Sequence, residues 1–148
     1  MIDIFMPRKR KRANKKKIKI NNSTNQLRIV DVGGGGDCFW RVISHQLFNK
    51  PSLFMDVKTQ VAKYIVSNYD KYEKYFESKD DFLSFVELIK TKGEWCEGEI
   101  EMNAVCHVYN VSLKILDDDD VTTLIQINEE NKILNLYHEK ELHFQSMI

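Results

Sequence analysis

The sequence predicts an α+β domain in which helices come first and a meander of strands follows. Apolar residues recur at helical spacing through the first two thirds of the chain, then give way past Tyr109 to short alternating runs. A length of 148 residues suits one domain with a substantial core. Helices segregated from a run of strands belong to an α+β architecture rather than to a parallel α/β one.

Residues 1–26 read as a basic arm, lacking apolar periodicity and expected to be disordered. Nine of the 22 Lys/Arg lie in residues 1–27, eight of them between Arg8 and Lys17, against one of the 22 Asp/Glu. The remainder therefore carries a net charge of about −8. The folded domain, residues 27–148, opens with a strand expected from Leu27 to Val32. Four glycines, Gly33 to Gly36, interrupt any regular element there. Asp37 is the expected N-cap, its carboxylate accepting from N–H groups of the next turn, which puts Cys38 at the first helical position. Val57, Val61, Tyr64, Ile65, Tyr69 and Tyr72 share one helical stripe; Phe82, Phe85, Val86 and Ile89 share another, after Ser78 and Asp80 as capping-type residues. These aromatics are expected in the core. Another helix carries Val105, Cys106, His107 and Val108. Strands are expected over 112–116, 122–127 and 133–137, with connections at 117–120 and 128–132, and His143 opens one more. Asp117 to Asp120 lack the EF-hand spacing and terminal Glu, so they read as a charged hairpin turn and no metal is expected.

Residues 34–44, Gly-Gly-Gly-Asp-Cys-Phe-Trp-Arg-Val-Ile-Ser, carry the chemistry. Unpaired N–H groups and the positive end of the macrodipole favour an anion at a helix start, so Cys38 is expected to titrate below the free thiol value of about 8.5. The N–H groups around Gly35, Gly36 and Cys38 can point at a developing oxyanion. A phosphate cradle is the competing use of such a loop, but the Walker pattern needs Lys-Ser/Thr where Cys38-Phe39 stands, and G-x-G-x-x-G is absent. A buried structural cysteine stays open beside the nucleophile. Of four histidines, His143 is best placed as the base. His45 lies two turns along the helix, about 10 Å from Cys38 by helical rise. His107 reads as a packed or surface residue within its helix, and His138 as a solvated turn residue. Cys96 and Cys106 read as small packing residues.

These blocks resemble a family. Gly35-Gly36-Asp37-Cys38-Phe39-Trp40-Arg41 is similar to the Asp-Gly-Asn-Cys-Leu-Phe-Arg block of the ovarian tumour (OTU) cysteine proteases, which cut ubiquitin from lysine side chains. Ile43-Ser44-His45-Gln46-Leu47-Phe48 resembles the continuation of that helix. Gly93-Glu94-Trp95 with Gly98-Glu99-Ile100-Glu101-Met102-Asn103-Ala104 resembles the Trp-Gly-Gly…Glu-Leu-x-Ala block, and Val108 to Val111 with Leu113 to Ile115 the strand after it. His143-Phe144-Gln145-Ser146 is similar to the terminal His-Tyr-Asn-Ser. The resemblance runs in order over about residues 28–148 and implies a papain-type fold, helices packed on a small central, mostly antiparallel sheet. It implies a deubiquitinating thiol protease with Cys38 as nucleophile and His143 as base. Two positions depart: Gly35 replaces the family's Asp, and Gln145 stands where an Asn or Asp orients the histidine. A triad completed by Gln145, one completed by Asp31, and a Cys-His dyad all stay open. Trp95 and Phe144 either wall the channel for the ubiquitin diglycine or belong to the core.

Composition narrows the setting. Three cysteines at unrelated spacings give neither a disulfide frame nor a zinc pattern, so a reducing cytoplasm or nucleus is expected. No apolar run approaches the ~20 residues of a membrane span, and the start lacks a signal-peptide h-region. The partner implied is ubiquitin or polyubiquitin, whose basic tail suits an acidic domain; no cofactor is implied. Residues 8–17 suit nucleic acid, an anionic membrane or a nuclear import receptor. Lysine outnumbers arginine 17 to 5, and Ile and Asn are frequent, consistent with an AT-rich genome and an effector acting in a host cell. The alternatives are a catalytically weak ubiquitin-binding module and a nucleic-acid-binding protein acting through the arm.

Overall fold

The computed structural model describes residues 15–17, 27–96, 98–140 and 143–148. Among the described residues, five α-helices precede most of one six-stranded sheet. The helices are α1 (Cys38–Phe48), α2 (Phe54–Ser67), α3 (Tyr69–Tyr72), α4 (Lys79–Lys90) and α5 (Glu99–Tyr109). The strands are β1 (Lys15–Lys17), β2 (Ile29–Val30), β3 (Val111–Asp117), β4 (Val121–Ile125), β5 (Lys132–Glu139) and β6 (His143–Met147), arranged β1-β4-β3-β5-β6-β2. All pairings are antiparallel except β3 with β5.

That parallel pair corrects the expected meander. The connection after β4 crosses one end of β3 and delivers β5 to its far side, with Val111 beside Lys132 and Asp117 beside His138. Two strand spacings, about 10 Å, are an easy reach for such a loop. The crossing makes β3 a central strand, and Val111, Leu113 and Ile115 are buried.

The helices form for the reasons their spacing gives. Phe82, Phe85, Val86 and Ile89 bury one face of α4, and Ser78 caps it by accepting the Asp81 N–H at 3.1 Å. The long stripe of α2 is broken at Asn68, whose side-chain amide donates to the Tyr64 carbonyl at 2.8 Å. Tyr69 and Tyr72 therefore sit on the separate short helix α3. At the β3–β4 turn, Asp117 Oδ1 accepts from the N–H groups of Asp119 and Val121 at 2.9 and 3.0 Å, the turn chemistry expected of an aspartate there.

The first strand is shorter than expected, two residues paired with Met147 and Ser146. Arg28 and Ile148 extend the ladder by exchanging backbone hydrogen bonds of 2.7 and 3.0 Å. Within the arm expected to be disordered, Lys15–Lys17 pair with Thr123, Thr122 and Val121 along the edge of β4. The rest of residues 1–26, including Arg8 to Asn14, lies outside the described residues. No helix among the described residues is long and apolar enough to cross a membrane.

The candidate active site at the start of helix α1

Cys38 opens α1 with 1 % of its surface exposed, held beneath β6. The Phe144 N–H donates to its Sγ at 3.3 Å, so the residue next to His143 touches the sulfur directly. His143 Nε2 lies 3.2 Å from Asp31 Oδ1. Asp31 also accepts the Gly33 N–H at 2.9 Å, and that bond, opposed by desolvation and aided by the neighbouring imidazole, holds its carboxyl below the ordinary range. With the Nε2 hydrogen committed to Asp31, Nδ1 is the imidazole nitrogen left to accept a proton.

Gln145 lies opposite Tyr137 in the β5–β6 ladder, and among the described residues no hydrogen bond joins it to His143. The β2–β6 register explains why Asp31 does. Ile29 faces Met147 and Val30 faces Ser146, so the continued register sets Asp31 across from Gln145, diagonal to His143. A residue from the opposite end of the chain thus occupies the expected place of the acceptor.

The expected low thiol pKa is corrected. Burial pushes the Cys38 thiol above its ordinary value, outweighing the N–H groups of Phe144, Phe39 and Cys38 and the Arg41 charge, which act the other way. Desolvation disfavours the thiolate more than the helix start favours it.

Asp37 is not a side-chain cap. Its carboxylate is buried, with Oδ1 taking Lys58 Nζ at 2.7 Å and Oδ2 the Gly93 N–H at 2.8 Å. The glycine loop crosses the segment after α4 at that point. A Cβ on Gly36 would stand 1.7 Å from the Gly93 carbonyl oxygen, so only glycine fits. Gly35 has φ +85° with open space around it, and the Cys38 N–H donates back to its carbonyl at 3.2 Å. Arg41 Nη1 donates to the Gly34 carbonyl at 2.8 Å while its guanidinium lies 4.6 Å from the Phe54 ring centroid, bracing the loop from α1.

The two proposed channel residues separate. Trp95 is 44 % exposed beside the Gly93–Glu94 crossing. Phe144 is buried between Phe39, edge to face at 5.3 Å, and His138, stacked at 4.0 Å. His138 is accordingly a buried strand residue rather than a solvated turn residue, because β5 runs on to Glu139. His45 is turned to the sheet, Nδ1 2.9 Å from Ser146 Oγ, and Gln46 exchanges hydrogen bonds with the Asn135 backbone. His107 stacks on Tyr64 at 5.7 Å, with Lys71 Nζ 2.7 Å from its Nε2. Sequence reasoning missed Lys58, although a lysine among Val57, Val61, Ala62 and Ile65 on one buried helix face was a visible signal.

The sequence profile of the OTU-like cysteine proteases matches residues 33–148. The chain is 26 % identical over 122 residues to ovarian tumour domain-containing deubiquitinating enzyme 10 of Arabidopsis thaliana, covering 80 % of this chain and 33 % of that protein. The chain therefore spans about a third of the length of the curated relatives it matches. The solved OTU domain of OTUD1 superposes with a TM-score of 0.75 at 18 % identity, covering 82 % of this chain and 85 % of that one. The Hazara virus OTU bound to ubiquitin superposes with a TM-score of 0.68 at 14 % identity, covering 82 % and 80 %.

Proposed function

The chain belongs to the OTU-like cysteine protease family, and we propose that it hydrolyses the isopeptide bond after the C-terminal Gly-Gly of ubiquitin or a ubiquitin-like modifier. The observation that supports this reading best is the contact of the Phe144 N–H with Cys38 Sγ, because the residue next to it in β6 is His143, whose imidazole pairs with Asp31. A thiol raised by burial needs a base at the moment of attack, and an imidazole oriented through Nε2 offers one. Cys38 Sγ bonds to the carbonyl carbon of the terminal glycine as its proton passes to His143 Nδ1. The C–N bond then breaks, the lysine amine leaves with that proton, and water hydrolyses the thioester with the same imidazole as base. N–H groups of Gly35, Gly36 and Cys38 supply the oxyanion site. Trp95 is the exposed channel wall, while Phe144 supports the nucleophile from the core. Asp31 orients His143, and Gln145 is dispensable.

Ubiquitin recognition is supported by fold likeness to an OTU bound to ubiquitin and by the acidic balance of residues 28–148. The thiols of Cys38 and Cys106 suit a reducing compartment. The weak-binder reading draws on the Cys38 N–H, which is already engaged with Gly35 and must be released to serve an oxyanion. Incubation with diubiquitin decides between them. Cleavage lost in Cys38→Ala with ubiquitin affinity retained is the expected result; binding without cleavage by the parent chain would leave the module reading.

A further inference from the structure

Lys58 is wholly buried, and its ammonium has no route to water. It lies on α2, on the side facing the glycine loop, and makes three polar contacts: Asp37 Oδ1 at 2.7 Å, the Thr91 carbonyl at 2.6 Å and the Glu94 carbonyl at 3.5 Å. Its Nζ also lies 5.9 Å from the Trp40 ring centroid. A buried lysine is costly unless paired, and replacing such a pair with apolar groups is often neutral or stabilising. Stability alone is therefore a poor account of it.

Its partners suggest another. Asp37 precedes Cys38 in the chain, and its second oxygen holds the Gly93 N–H at 2.8 Å. Thr91, Gly93 and Glu94 belong to the segment that carries Trp95 past the glycine loop, at the crossing where Gly36 admits no side chain. One ammonium and one carboxylate thus tie three segments together, α2, the start of α1 and the stretch from Thr91 to Glu94.

We propose that Lys58 is a positioning residue for the reaction: paired with Asp37, it locks the Thr91–Trp95 segment against the glycine loop and cancels the buried negative charge of the residue that precedes the nucleophile. Without Lys58, the Asp37 carboxylate would oppose formation of the Cys38 thiolate. Without the carboxylate, the Lys58 ammonium would favour it. The two single variants therefore move the thiol in opposite directions, which a role in packing alone does not require. Arg41 on α1 is a charge that acts on the Cys38 thiol, and it is untouched by these changes, as is the His143–Asp31 pair carried by β6 and the residue after β2.

The inference rests on Cys38 being the nucleophile, and the test separates the two ideas. The pH dependence of Cys38 alkylation by iodoacetamide, followed on the Cys38 peptide by mass spectrometry, is compared for parent, Lys58→Met, Lys58→Arg, Asp37→Asn and Lys58→Met/Asp37→Asn. The midpoint is expected to rise by about one pH unit in Lys58→Met, to fall in Asp37→Asn and to return near the parent in the double variant. Turnover of a fluorogenic ubiquitin substrate should drop about tenfold or more in the double variant, mostly in kcat, and recover partly in Lys58→Arg. If Lys58→Met fails to fold, the fall in Asp37→Asn and the midpoint of the neutral double variant still decide. Midpoints that stay together, or move the same way, overturn the inference. A parent chain that alkylates normally but never turns over ubiquitin overturns the nucleophile reading instead.

Discussion

At the residue scale, the imidazole is held from the opposite end of the chain. Asp31 and His143 are separated by 112 positions, and only the β2–β6 register brings them together at 3.2 Å. Local sequence pointed first to Gln145, two residues after His143, with Asp31 as the alternative. Side-chain type could not decide, since an amide oxygen and a carboxylate both accept from an imidazole. A register between short distant strands is not encoded in either segment alone. Asp31→Ala should therefore lower kcat about tenfold or more with KM little changed, because orientation of the imidazolium matters most in the transition state. Gln145→Ala should stay within about threefold of the parent. Steady-state kinetics on a fluorogenic ubiquitin substrate check both, and a larger loss at Gln145 would contradict the observed pairing.

At the scale of elements, the glycine loop shows two different uses of the same residue. Gly36 is excluded from carrying a side chain by the Gly93 carbonyl, 1.7 Å from its would-be Cβ, while Gly35 meets nothing and is constrained only by φ +85°. Gly36→Ala should force the two segments apart and abolish cleavage, with a fall in thermal stability. Gly35→Ala should cost about 1 kcal/mol in stability, the usual penalty of a left-handed backbone for an L residue. Thermal melts and diubiquitin cleavage on the two variants test the contrast. The glycine run marked this place in the sequence, but only the crossing with Gly93 tells the two positions apart. Helix α4 was legible to its cap at Ser78, because capping and periodicity are local. The neighbour of β5 was not, because strand order depends on which side of β3 the preceding connection passes.

At the scale of the whole molecule, the core sets a response to alkali. Cys106 is buried in α5 beneath the sheet, and desolvation pushes its thiol up to about 12. Burial likewise raises the Tyr72 hydroxyl. The folded state holds these protons after the unfolded chain has released them. Their contribution to stability is complete below the unfolded thiol value of about 8.5 and declines as pH rises from there toward the folded values. Stability should fall progressively above pH 8.5, at up to about 1.4 kcal/mol per pH unit for each group released, and Tm with it. Cys106→Ala should be less stable at neutral pH yet lose Tm less steeply in alkali, which scanning calorimetry can follow. A parallel decline in both proteins would contradict the assignment to Cys106.

The same buried surroundings make the central claim sharp, because a thiol raised by desolvation reacts with a ubiquitin carbonyl only if His143 and the loop N–H groups assist it. The most direct measurement is reaction of the chain with ubiquitin bearing a C-terminal electrophile, with the adduct mapped by mass spectrometry. One ubiquitin joined covalently to Cys38, with labelling lost in Cys38→Ala and strongly slowed in His143→Ala, is the predicted result. No adduct, or an adduct at Cys96 or Cys106, would contradict it.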